Sequence, residues 1–221
     1  MAMNLFVTGT DTNAGKTVLS ALLTAALDGI YWKPVQSGAS EGTDRRAVMQ
    51  WAEIPEDRTL PECYSFDPPV SPHLAAREAG VTIDLRQIRP PISKAGQPVI
   101  AEGAGGVLAP LNDHETILDL IRHLSFPVVV ASRTALGTIN HTVLTVGALR
   151  NAGAQVLGVV MLGPENIENR RAVEWYGKVP VIGHVPMLQE ICRKALLGVF
   201  ETRFDKTYFC SGGHWPPVYT P

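Results

Sequence analysis

The sequence predicts a single α/β domain built on a doubly wound, mostly parallel sheet, and two patterns predict it. Short apolar, β-rich runs alternate with helical periodicities along most of the chain. Those runs are apolar throughout rather than at every second residue, which implies strands covered on both faces. Alternating strands and helices with right-handed crossovers then give a doubly wound sheet, whose ligands bind beyond the carboxyl ends of the strands. The 221 residues suffice for one sizeable core, so residues 1–221 form one domain, with an irregular tail over about 203–221.

Leu5–Thr8 is the first strand, and Lys16–Ala26, free of glycine and proline, the helix after it. Ile30–Val35 supplies the second strand, rich in aromatic and β-branched residues, and Thr43–Ala52 the next helix. Glu53 to Pro72 holds five prolines and little apolar periodicity, which reads as a long ordered loop, and loops of that length are usually functional. Pro72–Ala79 is helical, and Val99–Ala101 is the third strand. Asn112, with Glu115 three residues on, offers a capping box for a helix over Glu115–Leu124. Val128–Ala131, Val156–Leu162 and Val181–His184 are further strands, and Thr138–Asn151 and Ile167–Tyr176 the helices between them. Thr207–Pro221 mixes aromatics with Ser-Gly-Gly and Pro-Pro and shows no period.

Composition narrows the function classes. A formal net charge of −2 gives no general attraction to nucleic acid or an acidic membrane, so anion recognition falls to a few focused cations. Cys63, Cys192 and Cys210 are odd in number and form no CxxC pair, which argues against a disulfide framework or zinc site and fits a reducing cytosol. Met1–Thr8 lacks the charged start of a signal peptide, and no apolar run approaches transmembrane length, so a soluble, cytoplasmic protein is expected.

Directly after the first strand, Gly9 to Thr17 reads Gly-Thr-Asp-Thr-Asn-Ala-Gly-Lys-Thr. A strand, a glycine-bounded loop and a Gly-Lys-Thr helix start make a phosphate-binding loop: backbone N–H groups wrap the phosphates and the helix points its positive dipole end at them. Lys16 reaches the outer phosphates, and the Thr17 hydroxyl suits Mg²⁺. The common pattern has glycine where Thr10 stands, and Gly9 lies one residue earlier. Lys33, among Ile30, Tyr31 and Trp32, is costly unless it meets an anion. Asp44 alone reads as an acid complementing a helix dipole. Glu102 closes a buried strand before three glycines in four residues, where nucleotidases often hold Mg²⁺. Together Thr17, Asp44 and Glu102 supply three oxygen ligands for one hard cation. Thr138 reads as an N-cap and His141 as a packing or hydrogen-bonding histidine. Tyr31, Trp32 and Trp51 read as core or rim aromatics, and Ser71-Pro72-His73 stays ambiguous.

These motifs, with Lys33-Pro34-Val35…Ser37-Gly38, Ser71-Pro72-His73, Glu102-Gly103-Ala104-Gly105-Gly106 and Leu136-Gly137…Ile139-Asn140-His141, resemble the dethiobiotin synthetase family from Leu5 to about Leu188. The resemblance implies a homodimeric, ATP-dependent ligase of biotin biosynthesis with its active site near the dimer interface, joining 7,8-diaminononanoate and CO2 into dethiobiotin with release of ADP and phosphate. It implies that Lys33 and Lys16 are catalytic, that Thr17, Asp44 and Glu102 hold Mg²⁺, and that Thr12, Lys33 and Ser37 touch the substrate. The nucleotide would lie on Thr12, Asn13, Ala14, Gly15, Lys16, Thr17, Val18, Asp44, Glu102, Gly103, Ala104 and Gly105. Carbamate formation needs an uncharged amine, which nearby lysines favour. The asparagine-bearing segment that reads adenine in the family is replaced by Met161-Leu162-Gly163-Pro164, with no asparagine before Asn166. Base recognition then falls to backbone groups near Leu162, Gly163, Pro186, Met187 and Leu188, with weak discrimination among bases. The aromatic that reaches a neighbouring subunit's substrate is left between Trp175 and Tyr176.

Partition-type ATPases share this fold, but carry a signature lysine near the loop start where this chain has Asp11. Cobyrinate-type amidation modules are joined to a glutaminase domain for which the chain is too short.

Overall fold

The computed structural model describes residues 3–89 and 96–209. Its main sheet runs β4-β2-β6-β1-β7-β8-β9, all strands parallel: β1 (Leu5–Gly9), β2 (Ile30–Trp32), β4 (Thr59–Leu60), β6 (Val99–Glu102), β7 (Val128–Arg133), β8 (Val156–Leu162) and β9 (Val181–Val185). Two short strands, β3 (Val35–Ser37) and β5 (Tyr64–Phe66), form a separate parallel pair.

Both faces of the sheet are buried, as uninterrupted apolar strands require. Phe6, Val128 and Val130 pack into one core, and Leu5, Val7, Val129 and Ala131 into the other. Helix α1 (Lys16–Ala26) packs on the second core beside α2 (Asp44–Ala52) and α7 (Arg193–Arg203). The remaining helices are α3 (Pro72–Glu78), α4 (Ile117–Leu124), α5 (Thr138–Asn151) and α6 (Ile167–Gly177). Among the described residues, no helix is long and apolar enough to cross a membrane.

Several boundaries differ from the sequence expectation. The expected strand Ile30–Val35 breaks at Lys33-Pro34, because proline cannot donate to a ladder, and the chain leaves for the second sheet. The expected loop Glu53–Pro72 contains β4 and β5, which complete sheet edges using very few residues. Helix α4 starts two residues later than Glu115, at Ile117, with Thr116 and Asp119 as its capping box. Asn112 and Glu115 do pair reciprocally, but close the turn ahead of it. Gly137, at φ 92°, caps α5, and Thr138 is buried with its hydroxyl donating to the Arg133 carbonyl. His141 is exposed on the first turn of α5 rather than packed. Helix α7 was not expected. Beyond it Phe204 is buried and bridges Gly183, and a 3-10 turn covers Lys206–Phe209, so the tail is ordered at least to Phe209. The rest of the expected tail, 210–221, lies outside the described residues.

Candidate active site

Parallel strands end on the same side, so the carboxyl ends of β1, β6 and β2 deliver Gly9, Glu102 and Lys33 to one place. Gly9 opens the loop that leads into α1. A methyl group on Gly9 would come within 3.0 Å of the Asp11 carbonyl and 3.1 Å of Lys16 Cγ, which explains glycine at this position rather than at Thr10. Gly15 caps α1 in the left-handed region (φ 89°), and no acid occupies the helix's first turn to compete for its dipole. Gly105 and Gly106 lie along the same loop: methyls there would stand 3.9 Å from Thr12 Oγ1 and 3.8 Å from the Gly9 and Thr10 carbonyls.

Lys33 and two carboxylates form one largely buried network. Lys33 Nζ lies 2.5 Å from Asp44 Oδ2 and 3.0 Å from Glu102 Oε1. Thr17 Oγ1 donates to Asp44 Oδ1 at 2.6 Å and reaches Glu102 Oε1 at 3.2 Å. Glu102 is fully buried, and the Tyr31 hydroxyl donates to its other oxygen at 3.0 Å. Gln36, on β3, accepts from the Asp44 backbone N–H at 3.2 Å and donates to the Ser37 carbonyl at 2.6 Å, which ties Ser37 to the network. Lys16 Nζ donates to the Asp11 and Thr12 carbonyls at 2.8 and 3.0 Å.

Electrostatics follow from this geometry. Burial would lower Lys33, but Glu102 and Asp44 outweigh it and hold its amine above the usual lysine value. Burial acts the opposite way on Asp44, yet Lys33 and the Thr17 hydroxyl keep that carboxyl below its usual range. Lys16 has weaker compensation, and its desolvation lowers it to about 8. Burial and the neighbouring Glu102 keep Tyr31 neutral by raising its phenol well above the ordinary value. One hydroxyl and two carboxylates within hydrogen-bond reach are hard oxygen donors suited to Mg²⁺, and a fully buried Glu102 needs a cation beside it.

Next to this network lies an open cavity of about 330 Å³, lined by Asn13, Ala14, Gly15 and Val18 on the loop side. Leu162, Gly163, Pro186, Met187 and Leu188 complete it, so the residues expected at the base end do come together. Asn166 does not join them: it caps α6, with its side chain accepting from the Asn169 N–H at 2.9 Å. Arg133, at the end of β7, lines the cavity and pairs with Asp11 at 3.3 Å. Sequence reasoning missed Arg133, Tyr31's hydroxyl and Gln36. Position at a strand's carboxyl end was the available signal for Arg133 alone. Elsewhere, Ser71 Oγ meets His73 Nδ1 at 3.0 Å, and Trp175 and Tyr176 are exposed on α6, with Lys178 Nζ 4.5 Å from the Trp175 ring centroid.

The chain is similar to several known proteins. A family model described as an AAA domain matches residues 3–195. An ATP-dependent dethiobiotin synthetase BioD of Rhodopseudomonas palustris (strain HaA2) is 45% identical over 209 residues, 95% of this chain and 97% of that protein. Proteins of the same name are 44% identical over 212 residues in Nitrobacter hamburgensis (96% and 99% covered) and 43% over 209 in Agrobacterium fabrum (95% and 98%). Among solved structures, a ParA family ATPase from Chlorobium tepidum aligns with TM-score 0.54 at 12% identity, covering 90% of this chain and 91% of that one. The MinC:MinD cell division complex of Aquifex aeolicus gives 0.51 at 11%, with 89% and 86% covered. At such identities these two show the fold alone.

Proposed function

The chain belongs to the ATP-dependent dethiobiotin synthetase family, and from that premise we propose how its residues divide the reaction. The protein is an ATP-dependent ligase of biotin biosynthesis that makes dethiobiotin and forms C–N bonds. The substrates proposed are 7,8-diaminononanoate and CO2, with ATP as co-substrate. One substrate amine, in its uncharged form, adds to CO2 and loses a proton to give a carbamate. A carbamate oxygen then attacks the γ-phosphorus and ADP leaves. The second amine attacks the activated carbonyl carbon, phosphate departs, and the cyclic urea closes.

Phosphoryl transfer of this kind is mainly positioning plus electrostatic stabilisation. Asn13 to Val18 would cradle the phosphates with backbone N–H groups, with Glu102 to Gly105 alongside. Lys16 would meet the outer phosphates. Lys33 would face carbamate and γ-phosphate, its ammonium kept charged by Asp44 and Glu102. Thr12 and Ser37 would contact the diamine. Thr17, Asp44 and Glu102 are the groups that would hold Mg²⁺, which would offset the charge of the phosphates. The cavity at Leu162 and Gly163 would take the base. We place the enzyme in the cytoplasm, in line with the unpaired Cys63 and Cys192. The homodimer stays part of the proposal, with the exposed Leu136, Leu144, Trp175 and Tyr176 as apolar surface available to a second copy.

What carries this assignment is the convergence of Lys33 with Thr17, Asp44 and Glu102 beside the phosphate loop. Incubation with diaminononanoate, bicarbonate, Mg²⁺ and ATP should release phosphate and dethiobiotin in equal amounts. Phosphate release that does not depend on the diamine would contradict it.

A further inference from the structure

Behind the cavity at Leu162 and Gly163 stands a histidine that the reaction does not use. His184 on β9 is 8% exposed, and its Nε2 lies 2.9 Å from the Gly163 carbonyl. A carbonyl can only accept, so Nε2 carries a proton, and in the neutral ring Nδ1 keeps a lone pair. That Nδ1 is buried and has no partner among the described residues. A core position is better filled by leucine or phenylalanine than by an imidazole with one nitrogen unsatisfied. What histidine supplies here, and an apolar residue would not, is the N–H on Gly163.

The Leu162–Gly163 corner is held from both sides. Thr134 N–H donates to the Leu162 carbonyl at 3.2 Å, and Gly163 N–H to the Val185 carbonyl at 3.0 Å. Gly163 sits at φ +131°, and a methyl on it would meet Thr134 Oγ1 at 2.5 Å, so the corner packs closely against Thr134 and admits no side chain. From this corner the Leu162 side chain covers Gly15, where an added methyl would come within 2.6 Å of Leu162 Cδ2. Contacts therefore run without a break from His184 through Gly163 and Leu162 to the cap of α1. His184 itself lines a different cavity, of about 360 Å³, shared with Thr134, Met161 and α6. It meets the proposed base pocket through the Gly163 carbonyl and through its chain neighbour Val185, which lines that pocket.

We propose that His184 is a positioning residue for nucleotide binding: its Nε2–H fixes the Gly163 carbonyl and so sets the wall that closes on Gly15 and the base. This rests on the assignment of the first cavity to the nucleotide. Because His184 acts on the wall and not on a base edge, its loss weakens all nucleoside triphosphates alike.

The test uses the full chain with H184L, which fills the site without an N–H, and H184Q, whose amide can reach Gly163. H184L should raise KM for ATP and for CTP about tenfold. The KM for diaminononanoate and kcat should stay unchanged, and H184Q should recover most of the loss. A KM for ATP within twofold of the native value in H184L overturns the proposal, as does H184Q behaving like H184L. Should H184L not fold, H184M makes the same comparison with H184Q. K16A serves as the control for the site. If K16A loses nucleotide binding while H184L is native-like, only the role of His184 falls; if K16A binds nucleotide normally, the site assignment and this inference fall together.

Discussion

The two ends of the proposed nucleotide site are built from different materials. At the phosphate end, side chains do the work: Lys33, Thr17, Asp44 and Glu102 meet in a largely buried network, and Lys16 stands beside it on the Asp11 and Thr12 carbonyls. At the base end, the wall is mostly Leu162, Gly163, Pro186, Met187 and Leu188, apolar side chains and backbone groups set by strand ends and one glycine corner, with Arg133 as its charged member. Side-chain charge in a low-dielectric site is worth a great deal and tolerates little substitution. Backbone recognition depends on shape, so many residues can provide it and a point substitution alters it less. The phosphate end should therefore break under single substitutions and the base end should only bend.

The largest effect is expected at Lys33. Lys33→Ala should lower kcat about 10³-fold, the scale for removing a group that meets developing charge. It also leaves Glu102 without its cation, and breaking a buried pair in this way costs about 3 kcal/mol. Steady-state kinetics and urea unfolding read the two losses separately. A cooperative transition at lower urea shows that the fold survives, and Lys33→Arg should regain more stability than turnover. Near-native kcat in Lys33→Ala would remove the distinction between the two ends.

A smaller effect should appear at Tyr31, whose ring reads as core but whose hydroxyl serves the network. Tyr31→Phe leaves a buried Glu102 oxygen short of a donor, at a cost of about 1–2 kcal/mol. A variant as stable as the native protein would show that the hydroxyl is idle.

Lys16 offers a test by pH. Its amine is lowered to about 8 by burial, so near pH 8.5 much of it is neutral in the free protein. A bound triphosphate favours the ammonium and raises that value again. Nucleotide binding should therefore take up protons on Lys16 at about pH 8.5, an uptake that disappears at about pH 6.5, where Lys16 is already charged. Calorimetry in two buffers of different ionisation enthalpy measures this, and proton release at the higher pH would reverse the expected sign.

How much of this was legible beforehand follows the same division. The Gly-Lys-Thr start of α1, a lysine inside an apolar strand and an acid at a strand exit are local signals, and each led to a member of the network. Tyr31 and Gln36 carry no such signal, because their roles arise only once β2, β3 and β6 bring them to Glu102 and Asp44. At the base end, the pocket expected around Leu162 and Pro186 forms, with Arg133 brought to it from a strand end, but His184 reaches the Gly163 carbonyl behind it through strand order that no local pattern encodes. Boundaries failed where signals were degenerate: Asn112/Glu115 and Thr116/Asp119 are both capping patterns, and only the second starts a helix. Helix α7 was missed because its apolar residues Leu196, Val199 and Phe200 face a core whose partners lie far away in sequence.

The smallest effect is expected from the choice of base. With no side-chain amide in the base pocket beyond Asn13 on the loop, kcat/KM for ATP, CTP and GTP should agree within about tenfold. An ATP preference above about 10²-fold would mean that the base end reads its ligand as strictly as the phosphate end does.

The most direct measurement is a crystal structure with Mg²⁺ and a non-hydrolysable ATP analogue. Phosphates should lie on the backbone N–H groups of Gly15, Lys16 and Thr17, with the metal at Thr17, Asp44 and Glu102 and Lys33 Nζ facing the γ-phosphate. Phosphates bound away from this loop, or a Lys33 amine directed into solvent, would contradict it.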